Sequence, residues 1–288
     1  MLLSTLVVAL TMSMAPAPQA APVADLQNAY KELKAAEEKK DVDGIKKWAV
    51  ETAKLAHAIK KGAPDADSEV QKSNMAFAEE VDNYSDYALS AAALTSTDSK
   101  VVMELRDILA EQAPDSKYLV GLNAKYMAAL EATGNQKKQF AFAEKAIAKD
   151  PNNEALLYVL ARTYFERQSW ANAATFGTRL GQASKRPLVA GYGYYYAGCA
   201  YAALQKFGPA DKSLRAALPN IKGEPALHAE ALFQLGIADY QMAHITHDRV
   251  MMKDAGEFSD QCAKMGGARS GQCSNNAFNI KKELSSFR

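Results

Sequence analysis

Apolar residues recur every three or four positions along most of the chain, which is the spacing of amphipathic helices. The clearest case lies between residues 45 and 59, where lysine and glutamate occupy the opposite face. The apolar face comprises Ile45, Trp48, Ala49, Thr52, Leu55, Ala56 and Ile59. A similar series over residues 25–40 precedes it, and the polar segment Asp41–Gly44 lies between the two. Together they predict an N-terminal helical hairpin.

Capping and helix-breaking residues divide the next part of the chain. A long helix is predicted over about Ser68–Leu94, Thr95–Asp98 interrupts it, and a further helix spans Ser99–Gln112 before Pro114. Alanine is abundant and no long alternation of β-branched residues occurs. We therefore expect an all-α protein.

One combination of large and small residues recurs farther along. Its best copy reads Tyr194-x2-Ala197-Gly198-x2-Tyr201-x8-Ala210-x3-Leu214-x2-Ala217. A second copy reads Leu157-x2-Leu160-Ala161-x2-Tyr164-x8-Ala173 and then departs at Gly177 and Leu180, and a third is carried by Ala143-x2-Ala146-x4-Pro151. Repeat starts near Val120, Glu154, Gly191 and Ala229 give intervals of 34, 37 and 38 residues.

This spacing resembles the tetratricopeptide repeat, a helical hairpin of about 34 residues. The resemblance implies a right-handed superhelical stack of antiparallel hairpins, an α-solenoid, in which Gly198 and Ala210 allow close packing within one hairpin. Tyr201 and Leu214 then fill the gaps between hairpins. Asp239 departs from the pattern, because an aromatic residue is expected there. The alternative is an ordinary helical bundle whose small residues recur by chance.

The chain begins with a segment typical of an export signal. Met1–Met14 is uncharged and mostly apolar, and Ala15–Ala24 is rich in proline and small residues. We expect cleavage near Ala20 and a periplasmic or secreted protein of bacterial type, with no membrane span in the mature chain, since a span needs about 20 apolar residues. An uncleaved anchor and a disordered cytosolic N-terminus are the alternatives.

These patterns divide the chain into four parts. They are a signal peptide with a short linker (1–24), an N-terminal hairpin (25–64), tetratricopeptide-like repeats (65–264) and a C-terminal loop with a capping helix (265–288). The 34 Lys and Arg residues nearly balance the 33 Asp and Glu residues. Because this balance removes the broad electrostatic attraction on which nucleic-acid binders depend, we expect no nucleic-acid partner.

The three cysteines offer two kinds of chemistry. In an exported chain, Cys262 and Cys273 are predicted to form a disulfide around a glycine-rich loop, whereas Cys199 is expected to be a small buried side chain. Alternatively, His244 and His247 would join the C-terminal cysteines in a zinc site. We predict the disulfide and neither metal nor cofactor. No phosphate-binding loop, nucleophile elbow or carboxylate pair indicates an enzyme.

The tetratricopeptide resemblance also implies a binding surface. In that family the first helix of each hairpin lines a concave groove, and the matching positions here are Ala155, Tyr158, Arg162, Phe165, Tyr192, Tyr195, Cys199, Ala202, Glu230, Phe233, Ile237 and Tyr240. The candidate ligand-binding residues among them are Tyr158, Arg162, Phe165, Tyr192, Tyr195, Phe233 and Tyr240, because aromatic and arginine side chains suit a peptide or partner helix. For each aromatic residue, packing between helices is the competing interpretation, and it is preferred for Tyr194 and Tyr201.

The function implied is a non-enzymatic scaffold of the cell envelope that binds a protein or peptide. A structural component of an envelope or secretion assembly is the alternative. A third hypothesis is a metal-dependent enzyme built on His244, His247 and the C-terminal cysteines.

Overall fold

The computed structural model describes residues 21–62 and 68–287, and these residues form thirteen α-helices, one short 3₁₀ helix and no strand. The all-α prediction is confirmed. The predicted export signal and its cleavage position lie outside the described residues. The helices are α1 (Ala21–Glu38), α2 (Val42–Gly62), α3 (Glu69–Thr95), α4 (Ser99–Gln112), α5 (Tyr118–Ala132), α6 (Gln136–Ala146), α7 (Glu154–Glu166), α8 (Trp170–Ala183), α9 (Pro187–Ala203), α10 (Phe207–Ala217), α11 (Pro225–Thr246), α12 (Arg249–Met265) and α13 (Ser270–Leu284).

The helices form two compact units. The first contains the described residues of Met1–Thr97 together with Glu104–Leu119, and the second contains Asp98–Met103 together with the described residues of Val120–Arg288. None of the helices in the described part of the chain is both long and apolar enough to cross a bilayer.

The first unit is built around the predicted N-terminal hairpin. α1 and α2 pack against each other and against α3, and Leu26, Ala56 and Val81 lie in their shared core. α1 begins at Ala21, within the segment expected to be a linker, because Pro22 lacks an N–H group and fits the first turn of a helix. Ser68 and Gln71 cap the start of α3 reciprocally.

One turn geometry recurs in five helical hairpins of the described chain. After α1, α5, α7, α9 and α11 a residue adopts a left-handed backbone conformation, and the next residue donates its N–H to a carbonyl five positions earlier. The left-handed residues are Lys40, Gly134, Gln168, Gln205 and His247. Gly134 and Gln168 are 34 residues apart, and Gln168 and Gln205 are 37 apart. The backbone thus repeats with the first two intervals read from the sequence.

The second unit contains four of these hairpins and a further helix. Each helix from α6 to α13 packs on the next, and first helices of successive hairpins also touch, α7 with α9 and α9 with α11. This is a stack of antiparallel helical hairpins, as predicted. It follows that the first helices lie side by side along one side of the stack and present a continuous surface.

Small residues allow the closest helix contacts in this unit. A Cβ atom on Gly198 would lie 2.5 Å from Cγ of Leu214, which confirms that α9 and α10 press together there. Tyr201 packs against the preceding hairpin through Ala173 and Ala174, while Leu214 reaches Leu235 of the following one. Gly177, where the sequence departs from the repeat pattern, lies against the backbone of Gly193, so α8 and α9 approach closely at this point.

Candidate protein-interaction site

Four aromatic side chains on α7 and α9 form what we call the aromatic row: Tyr158, Phe165, Tyr192 and Tyr196. The ring centroids are 6.0 Å apart for Tyr158 and Tyr192, 6.5 Å for Tyr158 and Tyr196, and 5.3 Å for Phe165 and Tyr196. All four side chains are half-buried. The row therefore combines apolar area fixed by ring packing with edges that a partner can still reach.

Arg162 adds a cation to the aromatic row. Its guanidinium carbon lies 5.4 Å from the ring centroid of Tyr158, within the range of a cation–π contact. Glu131 and Glu166 stand 3.7 and 3.8 Å from its nitrogens, which is too long for strong hydrogen bonds. Arg162 thus retains donors for a carboxylate or carbonyl of a partner.

Tyr192 remains an uncharged hydrogen-bonding group at the end of the row. Burial raises the pKa of its phenol, and the nearby Glu224 carboxylate raises it further. Its hydroxyl group therefore stays protonated at physiological pH.

Tyr195 does not lie on this surface, contrary to the sequence prediction. Only 6 % of the side chain is exposed, and it packs with Leu214, Ile221 and Leu235 in a core shared by α9, α10 and α11. The physical reason is that α9 is covered on several sides, since glycines let α8 and α10 approach it closely. Tyr196, one position farther along, takes part in the row instead.

Phe233 and Tyr240, the two candidates on α11, line a separate groove between α11 and α13, with a volume of about 470 Å³. We call it the carboxamide groove, since half of its lining side chains are amides. The lining residues are Phe233, Gly236, Ile237, Tyr240, Gln241, Gln272, Asn275, Asn276, Asn279 and Ile280. The structure thus separates the seven predicted residues: four near the aromatic row, two in this groove and one in the core.

The α13 residues of the groove were missed by the sequence analysis. Gln272, Asn275, Asn276 and Asn279 follow the spacing i, i+3, i+4 and i+7, which places four amides on one helix face. The helical spacing of these four amides could have indicated a polar face on α13. Matching positions to the repeat family could not reveal it, because α13 has no complete repeat pattern.

An ion pair lies beside one end of the carboxamide groove, and a hydrogen-bonded carboxylate lies beside the other. At one end Arg269 makes two hydrogen bonds to Glu230, at 2.7 and 3.2 Å, and at the other Glu283 accepts one from the Tyr240 hydroxyl at 2.9 Å. His244 Nε2 also lies 2.9 Å from Glu283. Arg269 is thus paired with a carboxylate, and the Glu283 carboxylate has hydrogen-bonding partners within the protein.

A disulfide holds one wall of this groove. It joins Cys262 on α12 to Cys273 on α13, next to Gln272. A link of this sequence separation contributes about 3 kcal/mol to stability in the loop-entropy account. Because both thiols are consumed, the alternative zinc site with His244 and His247 lacks its sulfur ligands. Cys199 is buried, as expected for a small core side chain.

Asp239 is a buried residue of α11, at a position where the repeat pattern calls for an aromatic ring. Its carboxyl group lies 2.6 Å from Nη2 of Arg215, which also contacts Asp211 and Asp254 at 2.5 and 3.3 Å. Burial raises the pKa of Asp239 to about 8, and the neighbouring Asp211 contributes in the same direction while Arg215 opposes it. Arg215 thus contacts three carboxyl groups.

Fold and surface together define an all-α helical-repeat protein. Its aromatic row lies on α7 and α9, and its carboxamide groove lies between α11 and α13. No protein-family model and no curated protein match the sequence.

Solved structures give two distant likenesses. The TPR2AB domain of yeast Sti1 in a complex with pHSP90 is 13% identical, with 89% of this chain and 98% of that chain covered and a TM-score of 0.34. A computationally designed self-assembling cyclic homo-oligomer is 12% identical, with 92% and 94% covered and a TM-score of 0.26. Superpositions this loose do not establish a common fold.

Proposed function

We propose that this chain is a non-enzymatic scaffold of the tetratricopeptide type that binds a protein or peptide segment on its first helices. The observation that carries the proposal is the aromatic row with Arg162, placed on two adjacent first helices of the stack. Aromatic and arginine side chains supply most of the binding energy in protein interfaces, and ring packing lowers the entropy lost on binding.

We further propose that the protein works in the periplasm or outside the cell. The apolar N-terminal segment and the disulfide between Cys262 and Cys273 support this location, since disulfides persist in oxidising compartments. A tetratricopeptide scaffold in that setting brings other proteins together or holds an extended segment of one.

Two substitutions test the binding proposal. Arg162→Ala and Tyr192→Ala are each expected to reduce the amount of partner that co-purifies with the tagged protein by about tenfold or more. Arg162→Ala removes the cation beside the row, and Tyr192→Ala removes one of its rings together with a hydroxyl group. The readout is quantitative mass spectrometry of the captured proteins.

Matched controls lie on second helices. Lys145→Ala on α6 removes an exposed charge and Phe207→Ala on α10 removes a half-buried ring, and both are expected to leave the captured amount within twofold. Equal capture by all four variants contradicts a binding role for the row and favours the alternative, a structural assembly component that contacts its neighbours through outer surfaces.

A further inference from the structure

The groove-facing side of α13 carries a row of amides inside a helix. Asn275, Asn276 and Asn279 lie in the interior of α13, although asparagine is a weaker helix former than alanine or leucine. The buried face of α13 has the ordinary apolar residues Cys273, Ala277 and Ile280 packed toward α12, and Ile280 also lines the groove. Residues of low helix propensity on one face of a helix indicate that this face has a role other than folding.

These amides are available for a ligand. Asn275, Asn276, Asn279 and Gln241 make no hydrogen bond within the described part of the chain, and Gln272 uses its oxygen for Arg269 at 2.7 Å. Each carboxamide offers donors and an acceptor in one plane, as a peptide bond does. A row of them can therefore pair with successive peptide groups.

The facing wall supplies apolar contacts. Phe233, Ile237 and Tyr240 follow the spacing i, i+4 and i+7 along α11, so they form one stripe opposite the amides. Both α11 and α13 pack on α12, which lies behind the groove. A bound chain would meet amides on one side and apolar side chains on the other.

The charge of the groove restricts what it accepts. None of its ten lining residues is charged. Of the charged residues beside it, Arg269 pairs with Glu230, and Glu283 contacts Tyr240 and His244. A charged ligand side chain inside the groove would lose water without meeting an oppositely charged lining residue. The complementary ligand is uncharged.

We infer that the carboxamide groove binds the main chain of an extended peptide segment with uncharged side chains. This inference rests on the proposed function and names the class of segment bound at one of its surfaces. The row from Gln272 to Asn279 is about 10 Å long, which matches about three residues of extended chain. Each carboxamide presents a donor and an acceptor in one plane, which fits the peptide groups of an extended backbone better than the hydroxyl groups of a sugar ring.

The test uses the purified full-length protein and a bead library of N-acetylated, C-amidated hexapeptides containing all residue types. The peptides retained are expected to have three consecutive positions free of Asp, Glu, Lys and Arg. Affinity is then measured by fluorescence polarisation, and it is expected to change less than twofold between low and high salt.

Two changes probe the amide pairing directly. Asn275→Ala with Asn279→Ala is expected to weaken binding at least tenfold, and N-methylation of the central peptide bond of the ligand about tenfold, because each removes hydrogen bonds and leaves a partner unpaired. Alanine favours helix more than asparagine, so a loss cannot arise from unfolding of α13. Ser274→Ala with Lys282→Ala, elsewhere on α13, serves as the matched control and is expected to have no effect.

Other outcomes overturn the inference. These are enrichment of charged peptides, indifference to N-methylation or to the asparagine substitutions, displacement of the peptide by neutral oligosaccharides, and absence of any retained peptide. If peptides bind and only Tyr192→Ala or Arg162→Ala weakens them, the scaffold proposal stands and the carboxamide groove is not the site. If no peptide is retained and the capture of partners is also unaffected by those substitutions, both proposals fail.

Discussion

At the scale of single residues, Asp239 is the least expected feature of the sequence. A carboxyl group replaces an aromatic ring at a position that the stack buries completely. The replacement is tolerated because Arg215 reaches it from α10, and because a proton can remain on the carboxyl group when burial opposes its ionisation. Stability is thereby linked to pH.

We predict that the free energy of unfolding decreases as pH rises from about 4 to about 8. An acid whose pKa is raised in the folded state, here to about 8, stabilises the fold fully below its unfolded pKa of about 3.9 and loses this contribution as pH approaches the folded value. Asp239→Asn keeps the shape without a charge. It is expected to stabilise the protein at pH 8.5, where burial of the ionised carboxylate is most unfavourable, and to change stability little at pH 4.

Urea denaturation followed by circular dichroism across pH 4–9 measures this difference. Glu257→Gln, which neutralises an exposed carboxylate on α12, is the control. Its free energy of unfolding should depend on pH in the same way as that of the unmodified protein. A pH profile that Asp239→Asn leaves unchanged would show that folding does not raise the pKa of Asp239.

At the scale of helices, glycine contacts decide how closely α8 and α9 pack. A Cβ atom on Gly193 would stand 2.5 Å from the backbone nitrogen of Gly181 and 2.8 Å from the oxygen of Gly177. Backbone atoms cannot rotate aside as a side chain can. The two helices must therefore separate if Gly193 gains a methyl group.

Gly193→Ala is predicted to lower the free energy of unfolding by about 1–3 kcal/mol, in spite of the higher helix preference of alanine, because the added methyl group overpacks the contact. Gly121→Ala is the matched change: no atom lies within 4 Å of its added Cβ, so it should stabilise the protein by up to about 1 kcal/mol. Both are measured by urea denaturation. A neutral or stabilising Gly193→Ala would mean that α8 and α9 pack more loosely than described.

The sequence was sufficient for the hairpins between α1 and α10. It was insufficient for α12, which follows no recognisable repeat pattern, and for the exact starts and buried faces of the helices. Ser99–Gln112 matches α4 and Glu154 begins α7, since capping residues and turn prolines act locally. α9 and α11 begin four residues before the predicted repeat starts, because Pro187 and Pro225 each open a helix. Tyr195 was misplaced because nearly every residue of α9 is apolar or small, so the pattern does not identify one exposed face.

At the scale of the whole molecule, the candidate site depends on helices distant in the sequence. The facing walls of the carboxamide groove are Phe233–Tyr240 and Gln272–Asn279, separated by the whole of α12. A repeat pattern could predict the α11 wall. The α13 wall required the packing of both helices on α12, which local spacing does not encode.

The chain recovered from its native cells is predicted to start near Ala21 and to carry one free thiol among its three cysteines. Export would remove the apolar segment, and the disulfide between Cys262 and Cys273 would leave Cys199 alone. Intact mass spectrometry after alkylation in denaturant measures both properties, and reduction before alkylation should raise the count to three. A chain that starts at Met1, or three alkylated thiols without reduction, would contradict export into an oxidising compartment.

The recurring left-handed turn has a consequence for how this chain can change in length. Gly134, Gln168 and Gln205 are equivalent joints, so a segment removed or duplicated between two of them leaves the same backbone geometry at the new junction. An insertion of one residue inside a helix would instead rotate every following side chain by about 100° and misalign the packed face. Recombination at these joints can therefore add or delete whole hairpins, and the surface formed by the first helices can lengthen or shorten by one hairpin at a time.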